Sequence, residues 1–122
     1  MSLDLAVKLS QSREAKSYYP KWPMAAVLVK GGSIQSIGFS RKKNDPTYLD
    51  RFDYCSVHCE IEALRKVRFQ AKNHVLFVAR ACKGGGVGLA KPCANCQEVI
   101  DGSGVKRVTY TITGNEYGVW KP

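Results

Sequence analysis

Met24-Ala-Ala-Val-Leu-Val-Lys30, then Gly31-Gly32, then Ser33-Ile-Gln-Ser-Ile-Gly-Phe-Ser40 is the stretch on which the fold turns. Two apolar, β-rich runs flank a Gly-Gly pair, and glycine tolerates the positive φ that both central positions of a two-residue turn demand. The stretch predicts an antiparallel β-hairpin. Ahead of it, from about Asp4 to Lys16, good helix formers carry Leu5, Ala6 and Leu9 as an apolar stripe, with Ser2 as N-cap. Behind it, Arg41 to Tyr54 holds Asn44-Asp45-Pro46, scattered charge and three aromatic residues without a period. That composition predicts a loop, of a length that usually carries function.

Further along, Val57, Ile61, Leu64 and Val67 recur at helical spacing. They predict an amphipathic helix from Val57 to Phe69, capped by Ser56, with Arg65, Lys66 and Arg68 at the end where the macrodipole favours cations. His74 to Arg80 is β-rich and apolar on both faces, as a strand covered by helices is. A glycine-rich connection, residues 83–88, leads to Pro92-Cys93-Ala94-Asn95-Cys96, and a short helix continues through Gln97 to Asp101, ended by Gly102 and Gly104. Lys106 to Ile112 is another β-rich run, followed by a short terminal strand at Tyr117 to Trp120. The order α β β α β α β predicts an α/β fold, a three-layer α-β-α sandwich around a mixed sheet of about five strands. Its β-α-β steps are expected to be right-handed crossovers, and two helix N-termini are expected to meet at one edge.

Composition narrows the class. With 122 residues, 44% hydrophobic and 24% charged, the chain is expected to form one domain over residues 1–122, and its 11 Gly and 5 Pro are too few for a collagenous or disordered protein. No run of 18 apolar residues occurs, and Asp4, Lys8, Ser10 and Gln11 interrupt the opening stretch. Neither a membrane span nor a secretory signal is expected, and a cytoplasmic location follows. Five Cys cannot all pair, so reduced thiols are expected, and closely spaced thiols bind metal or exchange electrons. A formal charge of +9 favours anionic partners such as nucleotides, nucleic acid or phosphate.

The chemistry concentrates at two predicted helix starts, His58-Cys59-Glu60 and Cys93-Ala94-Asn95-Cys96. Cys93 and Cys96 are three apart, so on a helical turn both sulfurs face one way. With an imidazole nitrogen from His58 they form a ligand set suited to Zn²⁺, and three protein ligands leave a fourth position for water. Helix N-termini stabilise thiolate over thiol. Zinc lowers the pKa of bound water from about 15.7 toward roughly 7. Glu60 lies about 200° round an ideal helix from His58, off the coordination position but within reach of the pocket mouth, where a carboxylate can move protons.

His58-x-Glu60 followed by Pro92-Cys93-x-x-Cys96 resembles the zinc-dependent cytidine and deoxycytidylate deaminase superfamily, and the likeness runs from the first helix to about Ile112. The resemblance implies a cytidine deaminase-like fold, zinc on His58, Cys93 and Cys96, Glu60 as proton shuttle, and hydroxide attack at C4 of cytosine with release of ammonia. It implies a pyrimidine nucleoside or nucleotide as substrate, deoxycytidylate being favoured because basic loops suit a phosphate. Cys59, where relatives usually carry Ala, offers its backbone N–H to the base. Ser40 stands where many relatives place a sugar-binding Asn, Asn44 is the substitute, and Ala25 completes the candidate substrate contacts.

Three other readings compete. A deaminase acting on cytosine or adenine in single-stranded DNA, RNA or tRNA fits the charge and the basic, aromatic segment from Arg41 to Tyr54. A non-catalytic zinc-stabilised binding module, with a closed structural site taking Cys55 or Cys59 as fourth ligand, would leave Glu60 without a task. A redox role for Cys93-x-x-Cys96 needs no upstream His-x-Glu. His74 is read as a structural histidine, Cys82 as a core or loop thiol, and the basic runs at Arg41-Lys42-Lys43 and Arg65-Lys66-x-Arg68 as solvated faces. A homo-oligomer, dimer or tetramer, is expected of a small α/β domain of this kind.

Overall fold

The computed structural model describes residues 2–18, 23–42, 56–82, 86–114 and 116–122. In chain order its elements are α1 (Ser2–Ser10), α2 (Arg13–Tyr18), β1 (Met24–Lys30), β2 (Ser33–Phe39), β3 (Arg41–Lys42), β4 (Ser56–Val57), α3 (Cys59–Arg65), β5 (Val75–Ala81), β6 (Val87–Gly88), α4 (Ala94–Ser103), β7 (Arg107–Thr113) and β8 (Glu116–Trp120). The expected hairpin is present: β1 and β2 pair antiparallel from Ala25↔Phe39 to Lys30↔Ser33. Gly31 and Gly32 turn between them at φ of 56° and 79°, where a side chain would be strained.

β1 pairs antiparallel with β5 on its other side, β5 runs parallel to β7, and β8 closes the sheet antiparallel to β7. β6 adds to β5, which gives a mixed six-stranded sheet of order β2-β1-β5-β7-β8 with β6 off this path. The extra strand is Val87-Gly88, inside the glycine-rich connection, too short to carry an apolar period of its own. A separate two-stranded ribbon pairs Arg41 with Val57 and Lys42 with Ser56.

Alternation along the strands sends successive side chains to opposite faces. Ala26, Leu28, Leu76, Val78 and Val108 pack toward α3 and α4 with Ile61, Leu64 and Ile100, while Val27, Val29 and Ala79 pack toward α1, and Ala25 and Phe39 toward α2. The result is the three-layer sandwich. Leu28, Ile61, Leu64 and Leu76 are fully buried, each stabilising the fold by roughly 1.5–3 kcal/mol relative to exposure. No helix among the described residues is long and apolar enough to cross a membrane.

Helix boundaries differ from the sequence expectation for local reasons. The single N-terminal helix is two, because the Ser12 hydroxyl donates back to Leu9 O and accepts the Ala15 N–H, ending one helix and capping the next. The helix expected from Val57 begins only at Cys59, since Ser56 and Val57 are held in the ribbon and His58, at φ −76° and ψ 145°, occupies the N-cap. It stops at Arg65, and Arg68 and Phe69 lie at φ of 56° and 59° beyond it. The last helix runs through Gly102 and ends at Gly104, φ 87°. Arg41 and Lys42, expected in a loop, form β3; the remainder of that loop lies outside the described residues.

One close approach fixes where α3 begins. A Cβ built on Gly38 of β2 would overlap the backbone of Cys59 and Ala63, so the helix lies against the strand more closely than any side chain permits. Gly38→Ala is expected to destabilise the protein by about 1–3 kcal/mol, seen as a lower melting temperature, because neither backbone can yield without moving the turn that carries His58 and Glu60. An unchanged melting temperature would mean that the helix is free to shift.

Candidate active site

Both helix starts meet at the carboxyl ends of β5 and β7. The ligand atoms of His58, Cys93 and Cys96 lie within 4.8 Å of one another. His58 turns Nδ1 toward the sulfurs, 3.1 Å from Cys96 Sγ and 3.7 Å from Cys93 Sγ. Tetrahedral zinc with Zn–N near 2.0–2.1 Å and Zn–S near 2.3 Å needs ligand separations of about 3.5–3.8 Å. One nitrogen and two sulfurs at these spacings therefore fit that ion with only small adjustments. Cys59 does not join the cluster; its thiol donates to Glu60 Oε1 at 3.1 Å. Cys55 lies outside the described residues.

Each residue has a local reason to be where it is. His58 is the N-cap of α3 and Cys93 the N-cap of α4, and neither side chain is spent on capping its helix. The Gln97 side chain donates to Pro92 O at 2.8 Å and its backbone N–H to Cys93 O, fixing the Pro-Cys turn against the first turn of α4. Its hydrogen bond with Cys96 brings Cys93 down to about 5, with the His58 charge assisting, and the same bond together with burial pushes Cys96 up. The pair holds a thiolate beside a thiol, the state from which a metal displaces one proton.

Glu60 is buried, 2% exposed. Burial raises its carboxyl above the ordinary range, and it also raises the Cys59 thiol, which the Glu60 charge pushes further. The Cys59 N–H, expected to be offered to the base, donates instead to Ser40 Oγ at 3.2 Å, which joins two of the expected substrate contacts across β2 and α3. Ser40 Oγ accepts in that bond and keeps its own O–H to donate. The Ala25 side chain is fully buried, on the opposite face of the sheet with Ala15 and Phe39, where its role is packing. Asn44 lies outside the described residues.

Sequence reasoning missed a group behind the site. Glu62, with only 5% of its side chain exposed, forms ion pairs with Arg65 at 3.0 Å and with Arg41 Nε at 3.2 Å. The Arg41 contact lacks the alignment of a hydrogen bond, and the guanidinium lies 3.9 Å over the Tyr18 ring. The one available signal was the Glu62–Arg65 spacing; Arg41 read as part of a solvated basic run. Met24, which packs on the core that includes Cys59 and Cys96, gave no signal beyond its apolar character.

A three-layer sandwich with a His and two Cys gathered at adjoining helix starts, and a buried carboxylate in the same turn, defines the zinc deaminase class. The chain belongs to the cytidine and deoxycytidylate deaminase zinc-binding family, whose profile matches residues 2–112. No curated protein sequence matches it. Among solved structures it is similar to cytidine deaminase from Burkholderia pseudomallei, at 17% identity over 99% of this chain and 93% of that one, TM-score 0.65. It is similar to guanine deaminase from Bacillus subtilis, at 25% identity over 90% of this chain and 61% of that one, TM-score 0.58. It is also similar to RibD from Acinetobacter baumannii, at 22% identity over 90% of this chain, TM-score 0.58. The chain spans 26% of that RibD chain's length.

Proposed function

We propose that the protein is a zinc-dependent hydrolytic deaminase that converts cytosine to uracil in a free nucleoside or nucleotide, with deoxycytidylate favoured, and releases ammonia. His58, Cys93 and Cys96 would hold the metal, whose chemistry is to act as a Lewis acid that brings the acidity of water near neutrality. The observation that carries this reading is Glu60: a buried carboxylate in the first turn of α3, beside the ligands but outside their cluster. A carboxyl removed from bulk water exchanges protons with what occupies the pocket. It would take a proton from the attacking water, deliver it to the ring nitrogen, and return another to the leaving amine.

The Ser40–Cys59 pair supports the same reading as a polar edge at the pocket: the Ser40 hydroxyl, anchored by the Cys59 N–H, would present its proton to the base or the sugar. The base is the open choice within the family fold, since cytidine and guanine deaminases both resemble this chain. Cytosine is the base named by the family whose profile matches residues 2–112. A net charge of +9 supports a phosphorylated substrate and makes a base within single-stranded DNA or RNA the second reading. A homo-oligomer, dimer or tetramer, belongs to the same proposal, and light scattering on the purified protein would test it.

The function is tested by incubating zinc-loaded protein with cytidine, deoxycytidine and their monophosphates and following the spectral change to uracil. Turnover is expected on at least the monophosphates. Silence on all of them, with turnover of cytosine in an oligonucleotide, would replace the first reading by the second; silence on every substrate would reject both.

A further inference from the structure

We propose that the end of the molecule opposite the metal-ligand cluster, together with the sheet face beside it, binds single-stranded nucleic acid, the phosphates on the cationic end and bases on the sheet. β5 and β7 end at the ligand cluster and begin at this other end, where the Gly31-Gly32 turn and the end of α4 also lie. Seven-residue strands put about 20 Å between the two ends. Lys30, Arg68, Lys72, Lys106 and Arg107 all fall on segments at this end, against one carboxylate, Asp101, in the last turn of α4. Their side chains make no ion pair or hydrogen bond with the described residues. Arg65, by contrast, is neutralised by Glu62.

Charge alone would be a solvated face, but here it borders a shaped cavity. A cavity of about 330 Å³ opens between the hairpin turn and the starts of β5 and β7, walled in part by Gly31, Gly32, Asn73, Lys106 and Arg107, with no carboxylate in its lining. A Cβ on either glycine would meet nothing within 4 Å, so the turn's backbone is bare toward a ligand. The cavity continues into a larger one of about 650 Å³ over β7 and β8, the two sharing Phe77 and Arg107. This second part is the stretch of sheet left uncovered beside α1, and it presents Tyr117, 61% exposed, with Val119.

Cations leading onto an open sheet face with aromatic rings are the means by which a single strand is held: phosphates by charge, bases by stacking. The direction also follows. Glu116 also lines the larger cavity, a carboxylate that disfavours phosphate beside it, so the backbone is expected at Lys106 and Arg107 with bases over Phe77 and Tyr117. A lipid surface fits less well, because a flat anionic bilayer cannot enter a recess walled by the strand starts.

The test is fluorescence anisotropy with a labelled single-stranded oligothymidylate of about 20 nucleotides, titrated at roughly 50 to 200 mM salt. For three phosphate contacts the slope of log K against log salt is expected near −2, about −0.7 per phosphate. Lys106→Glu with Arg107→Glu is expected to weaken binding at least roughly tenfold at the low-salt end and flatten the slope by about 1.4. Tyr117→Ala, at an exposed position, is expected to weaken it roughly tenfold with the slope unchanged, since stacking carries no charge. Turnover of a free pyrimidine monophosphate and the melting temperature are expected to stay as in the parent, so failure here is distinct from failure of the active-site reading. Wild-type affinity and slope retained in the charge-reversed protein overturn the proposal, as does binding to phosphatidylserine vesicles with none to the oligonucleotide.

Discussion

Replacing Glu60 by Gln is expected to lower deamination by about 10²–10⁴-fold, the range in which a positioned proton carrier contributes, while zinc content and the melting temperature hold. The separation of these three readouts follows from the site. Glu60 is outside the ligand cluster, so the substitution removes no donor to the metal. Gln keeps the shape of the side chain and keeps an oxygen to accept from the Cys59 thiol, which now meets Glu60 Oε1 at 3.1 Å. What is lost is the capacity to take up and release a proton. Burying a neutral amide costs less than burying a carboxylate, so a small gain in melting temperature is consistent with the expectation and a fall is not. The competing closed structural site makes the opposite forecast, because there Glu60 has nothing to do. Zinc measured by metal analysis, melting by circular dichroism, and turnover of a pyrimidine monophosphate decide it: unchanged turnover at equal zinc content sinks the catalytic role.

The parts of this protein legible from sequence are those written in short-range chemistry. Gly31-Gly32 sets a turn whose backbone conformation few other residues adopt, so the hairpin was readable, though not the register shift between Leu28 and Val29. The β-rich runs His74 to Arg80 and Lys106 to Ile112 gave the central strands, observed at Val75–Ala81 and Arg107–Thr113, and the His-x-Glu and Cys-x-x-Cys spacings placed the three candidate ligands at helix starts that the fold brings within 4.8 Å. What escaped is what long-range packing decides. The start of α3 moved because Val57 and Ser56 pair with Arg41 and Lys42, 16 and 14 residues upstream, which no local pattern announces. Ala25 looked like any residue at a pocket edge, yet strand parity puts its side chain on the other face of the sheet. Gly38 resembled an ordinary strand glycine, and only its contact with α3 explains why a side chain is excluded. The clamp at Glu62 was hidden for the same reason: one partner is a helical turn away, and the other 21 residues upstream.

That clamp yields the other large effect. The ribbon that delivers His58 has two residue pairs, Arg41↔Val57 and Lys42↔Ser56, and an isolated two-stranded pairing of that length is not stable by itself. Arg41 is tied from outside: its guanidinium lies over Tyr18 and its Nε contacts the Glu62 carboxylate, which also holds Arg65. The next residue after Val57 is His58, and the residue before Arg41 is Ser40, so both sides of the pocket hang on this ribbon. Glu62→Ala leaves Arg41 facing a carboxylate that is gone. Removing one partner of a buried pair is commonly worth about 3–5 kcal/mol. Arg41 and Arg65 keep 29% and 49% of their side chains exposed and can turn toward water, which puts the expected loss at about 2–3 kcal/mol. The effect on the metal should go beyond stability. With the ribbon released, His58 loses its fixed approach to the two sulfurs, and zinc affinity is expected to fall roughly tenfold, as it does when a ligand's supporting partner is removed. Competition with a chelator measures it under conditions where the variant is still folded. The double substitution Arg41→Met with Glu62→Leu, which leaves only the half-exposed Arg65 without its partner, is expected to recover part of the melting temperature, but not the zinc affinity, because Met cannot stack on Tyr18 as a cation does. A Glu62→Ala protein that melts early yet binds zinc as tightly as the parent would confine the clamp to the stability of the fold.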